Sequence, residues 1–156
     1  SLPAEPPPGS PPPPEVKKGV TFLLTKDDRI FYYIGQFNAP GNEKGLPPTQ
    51  LSETNFSSEG LHALLMKENK WANDEIDKLK AQNKAKTLAD TTFKRLAVEA
   101  TANNEAITVL IKTDDQATYK NAIDMLDELK ICNVGKRVLG VEMMATEYAL
   151  LQEKIK

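Results

Sequence analysis

Ile107-Thr108-Val109-Leu110-Ile111 is the clearest strand in the sequence, and the residues after it decide the fold. The run is apolar and β-branched without strict alternation, which predicts a central strand buried on both faces. Lys112-Thr113-Asp114-Asp115 is a polar exit. Thr118 stands where a helix needs its cap, and Tyr119, Ala122, Ile123, Leu126 and Leu129 form that helix's core stripe. Residues 133–135 end the helix. Residues 137–144 then predict a further strand, with Val138, Gly140 and Glu142 on one face and Leu139, Val141 and Met143 on the other. Strand, helix and strand with short loops make a βαβ unit, right-handed if its strands are parallel neighbours.

Upstream, Val20-Thr21-Phe22-Leu23-Leu24 and Ile30-Phe31-Tyr32-Tyr33-Ile34 predict two strands of a hairpin around the polar turn Lys26-Asp27-Asp28-Arg29. Residues 38–54 hold Pro40, Gly41, Gly45, Pro47 and Pro48 and predict a long loop. Ser57 offers an N-cap, Glu59 suits the helix dipole, and Leu61, Leu64 and Leu65 supply a helical stripe. Residues 71–102 are polar and helix-prone. They predict an inserted pair of helices with a turn near Lys86, the second capped by Thr87 with Asp90 three residues on. Residues 146–156 predict a last, poorly anchored helix. The expected fold is α+β: a small mixed sheet with two helices packed on one face (ββα…βαβ), plus the insertion.

The chain has 156 residues, a prior for one domain. Its 20 Lys+Arg against 22 Asp+Glu give a net charge of -2, so no nucleic-acid partner is expected. No apolar run approaches the ~20 residues that span a bilayer, and the start does not read as a secretory signal. Eight of the 11 prolines fall in the first 14 residues, so residues 1–18 are expected to be an extended linker and residues 19–156 the folded domain. At about 3.1 Å per residue such a spacer reaches about 40 Å.

Chemistry is mostly absent. There is no glycine-rich phosphate loop and no nucleophile elbow. Cys132 and His62 are single, which excludes an intrachain disulfide, a cysteine cluster and a multi-histidine metal site. Cys132 reads as a small buried hydrophobe and His62 as a helix-surface or partly buried histidine rather than a catalytic base. Asp124, Asp127 and Glu128 read as a solvated helix face. Asp114 and Asp115, at the end of a central strand, are candidates for binding a small ligand or cation, against the plainer role of turn and cap. No catalytic residue, metal or cofactor is expected, and the chain is not expected to be an enzyme.

Val109-Leu110-Ile111-Lys112-Thr113-Asp114-Asp115-Gln116-Ala117-Thr118-Tyr119-Lys120-Asn121-Ala122-Ile123-Asp124-Met125-Leu126-Asp127-Glu128 resembles the periplasmic domain of ExbD/TolR proteins, and Ile131-Cys132-Asn133-Val134-Gly135-Lys136 continues the likeness. The proline-rich start, the lysine-rich insertion and Leu2-Pro3 are similar to features of the Bacteroidetes-type members. The resemblance implies a homodimeric coupling domain that works with ExbB-like and TonB-like proteins to carry the proton motive force to outer-membrane transport. It implies a single-pass inner-membrane protein with this domain in the periplasm, touching the membrane only through a helix missing from these residues. Leu2, Pro3, Tyr119, Val138, Leu139, Val141 and Met143 are then the candidate partner-binding residues. The alternatives are a small-molecule or peptidoglycan-binding module with Asp114 and Asp115 as its ligand site, and a TolR-like role in envelope integrity.

Overall fold

A computed structural model of the chain describes residues 18–156. The hairpin forms as its pattern predicts, with β1 (Gly19–Thr25) antiparallel to β2 (Arg29–Ile34). Asp27 and Asp28 both take left-handed backbone, at φ 60 and 57°, in the tight turn closed by Arg29 N donating to Lys26 O at 3.2 Å. Positive φ at both central positions matches the twist of the strands it joins. On the other side of β1 runs β4 (Thr108–Thr113), parallel to it, and beyond β4 lies β5 (Lys136–Leu139), parallel again.

The far edge of β2 carries a strand that the sequence pattern does not announce. Inside the expected loop, β3 (Ser52–Thr54) pairs antiparallel with β2. It has no large apolar residue, and a bidentate ion pair from Arg29 to Glu53, at 2.9 and 3.1 Å, ties it down. The sheet is therefore open, in the order β3-β2-β1-β4-β5.

A π-helical turn over Ser58–His62, capped by Ser57, leads into α1 (Ala63–Glu68). The inserted hairpin is α2 (Lys70–Lys84) and α3 (Asp90–Ala102), with the turn at Lys86, φ 62°. Ala89, rather than Thr87, is the residue preceding the second helix; the Thr87 hydroxyl donates back to Gln82 O instead. The βαβ helix α4 (Tyr119–Ile131) starts at Thr118 with a full capping box, Thr118 and Asn121 each satisfying the other's backbone N–H. The last helix is α5 (Ala145–Ile155).

Two helices on one face is not the architecture, and that expectation is corrected. Five strands and five α-helices make up the described residues, and the sheet is covered on both faces. All seven residues of β1 are buried, so a one-sided cover cannot suffice. Val20, Phe22, Leu24, Val109 and Ile111 meet Leu61, Leu65, Met125 and Leu129, the layer of the π-helical turn, α1 and α4. Leu23, Phe31 and Tyr33 on the opposite face meet Met143 and Leu151, the layer of α5. Each such fully buried Leu or Phe contributes about 1.5–3 kcal/mol.

The final strand is also shorter than the alternation of residues 137–144 suggests. Gly140, at φ +89°, turns the chain out of the sheet after Leu139. Val141 and Met143 are thus not strand residues. Met143 is buried in the second core instead.

The expected single-pass inner-membrane location, and the transmembrane transport expected with it, are corrected as well. Among the described residues no helix is long and apolar enough to cross a membrane. The longest, α2, has 15 residues and a polar sequence.

Candidate functional site

The partner-binding candidates fall into three groups in space. Val138 and Leu139 stand on β5, the last strand in the order, 39% and 50% exposed. Among the described residues, only its β4 side is paired within the sheet. Backbone N–H and C=O groups along the outer side of such an edge are available to an added strand. Tyr119, 82% exposed, opens α4 just beyond the end of β4, the end of the sheet at which β5 also finishes. Val141 is half-buried and Met143 lies beneath α5, so the structure separates them from the edge. Leu2 and Pro3 lie outside the described residues.

The Asp114-Asp115 turn is a satisfied turn. Asp114 Oδ1 accepts from Gln116 N and Ala117 N at 2.9 and 3.0 Å, and Oδ2 accepts from the Thr25 hydroxyl at 2.5 Å. Asp115 is exposed. A pocket of about 280 Å³ sits at the other end of the sheet, lined by Lys18, Val20, Ile34, Glu68, Trp71 and Glu105 among others.

Two polar clusters were not legible in the sequence. Beneath α5, Glu147 is fully buried and Lys112 is 3% exposed. Glu147 Oε1 accepts from Lys112 Nζ at 2.7 Å and from Met144 N at 2.7 Å, while Oε2 accepts from the Tyr33 hydroxyl at 2.5 Å. Burial above all, then the Glu147 charge and the hydrogen bond to it, raises the Tyr33 hydroxyl above its ordinary 10.0; a hydrogen bond from Thr21 opposes this weakly. The folded state therefore holds a proton that the unfolded chain releases above pH 10. Stability from this group is complete below pH 10 and falls as pH rises beyond it, by about 1.4 kcal/mol per pH unit at most. Urea unfolding of wild type and Tyr33→Phe from pH 8 upward should show the wild-type advantage narrowing above pH 10. A gap independent of pH would refute the burial of that hydroxyl against Glu147.

The second cluster joins the two residues that the sequence leaves single. Glu128 and Cys132 are four apart and share one face of α4 and its C-cap. The turn into α1 brings His62 against them. Cys132 Sγ lies 3.5 Å from His62 Nδ1 and 3.5 Å from Glu128 Oε1, and Nδ1 and Oε1 are in direct contact. Cys132 is fully buried, and its thiol is pushed from an ordinary 9.0 to about 12, by burial first and then by Glu128. Such a thiol is protonated at neutral pH and no nucleophile. Both contacts use the same ring nitrogen, so the three do not form a relay in which imidazole bridges thiol and carboxylate.

No protein-family model, curated protein or solved structure matches the chain.

Proposed function

We propose that this chain is a non-catalytic coupling and assembly domain of the ExbD/TolR kind, acting with an ExbB-like and a TonB-like protein and forming a homodimer. The observation that carries the reading is the edge of β5, a strand whose outer side has no partner among the described residues and whose Val138 and Leu139 are exposed. An extended segment of the TonB-like protein is its occupant, added as a sixth strand. The resemblance of residues 109–128 supports the family, and the satisfied state of Asp114 weighs against the ligand-module alternative.

The test is binding to the TonB-like and ExbB-like proteins of the same organism, with solution mass read by light scattering. The chain should bind the TonB-like protein and run as a dimer. Val138→Lys combined with Leu139→Lys should weaken that binding about tenfold or more without lowering the melting temperature appreciably, since both side chains face solvent. A monomer that binds neither protein would sink the reading.

A further inference from the structure

We propose that His62, Glu128 and Cys132 form a zinc-binding site with a fourth position open to water. Among the described residues they are the set of His, Cys, Asp and Glu side chains whose donor atoms converge, all within 4.8 Å of one another.

The geometry carries the inference. Zinc holds sulfur at about 2.3 Å and nitrogen or oxygen at about 2.0–2.1 Å, and at tetrahedral angles this sets S–N and S–O edges of about 3.6 Å. The observed S–N and S–O separations are both 3.5 Å. The third edge requires His62 Nδ1 and Glu128 Oε1 to part by a small rotation. His62 has that freedom, because its side chain is 39% exposed.

The chemistry is consistent with the geometry. Imidazole, thiolate and carboxylate are all donors that zinc accepts. One thiolate and one carboxylate neutralise the ion's two charges, so the bound site carries no net charge into the protein surface. Binding releases the thiol proton to solvent, and the imidazole ligates through Nδ1 as the tautomer that carries its proton on the other ring nitrogen.

Two ligands come from α4 and its C-cap, and the third from the turn into α1. The ion would therefore staple the two helical segments that cover one face of the sheet. Glu128 is 21% exposed, and together with His62 it opens the remaining position to solvent. The inference does not depend on the family proposed above.

The experiment is a titration of the chain with Co²⁺, which reports a sulfur ligand by a thiolate-to-cobalt charge-transfer band, followed by competition with Zn²⁺. One equivalent should bind with that band, and Zn²⁺ should abolish it and raise the melting temperature by mass action. Cys132→Ser should remove the band. His62→Gln, at a half-exposed position, should weaken binding at least about 100-fold, since even supporting residues of metal sites are worth 10–100-fold. Absence of the band in the wild-type chain would overturn the site, and so would binding that His62→Gln leaves unchanged.

Discussion

Glu147→Leu should destabilise the protein by about 3–5 kcal/mol, the usual cost of leaving one member of a buried ion pair without its partner. The variant strands three groups at once. Lys112 Nζ, the Met144 N–H and the Tyr33 hydroxyl all donate to the Glu147 carboxylate, which is fully buried, as Lys112 and Tyr33 nearly are. A loss of that size is a large fraction of the ~5–15 kcal/mol that holds a typical domain together. It should also act locally. Met143 and Leu151 flank Glu147 and enter the second core, so weakening the anchor exposes Leu23 and Phe31 on the sheet.

The second substitution in this experiment is compensatory. Glu147→Leu combined with Lys112→Met removes both charges and fills the space with apolar atoms. Such replacements are often neutral or stabilising, so the double variant should regain most of the loss. Urea unfolding of the two single variants and the double variant measures the coupling. A Glu147→Leu cost below about 1 kcal/mol would show that the pair is not desolvated.

The same pair explains what the sequence concealed. A charged residue at position 112 interrupts the apolar run of the central strand, and a charged residue at 147 makes the last helix read as poorly anchored. Each is the other's reason for burial, and nothing local links positions 35 apart. The hairpin, the βαβ unit, the Thr118 cap and the inserted helices with their turn at Lys86 were legible because each rests on short-range pattern. The strand β3 was not, since Ser52-Glu53-Thr54 has no apolar signature and is held by pairing with β2 and by Arg29. The strand reading of residues 140–144 followed real alternation, which Gly140 ends by turning the backbone. His62 and Cys132 each read as unremarkable alone. Their meeting depends on how α1 and α4 pack, which no spacing in the chain reveals.

Asn69→Ala should cost about 2–4 kcal/mol, because unpaired buried polar groups cost about 1–3 kcal/mol each. Asn69 sits between α1 and α2, 1% exposed, where the chain turns from one helix into the next. Its Nδ2 donates to Cys132 O and Asn133 O at 3.0 and 3.1 Å, and its Oδ1 accepts from Ile107 N at 3.3 Å. One side chain thus joins the insertion, the end of α4 and the start of the central strand. Asn73 continues the network, donating to Cys132 O at 3.1 Å, and Asn133 Nδ2 donates to Asn73 Oδ1 at 2.9 Å. Cys132 O therefore keeps a partner in the variant, while Ile107 N–H and Asn133 O lose theirs. Asn69→Asp is no rescue: it preserves the acceptor for Ile107 but turns a carboxylate toward two carbonyl oxygens. The distinguishing measurement is amide hydrogen exchange at Ile107. Its protection should fall in Asn69→Ala by more than global destabilisation accounts for, because the lost bond is its own. If Ile107 stays protected to the global limit, the side chain is not what holds the residue that leads into β4.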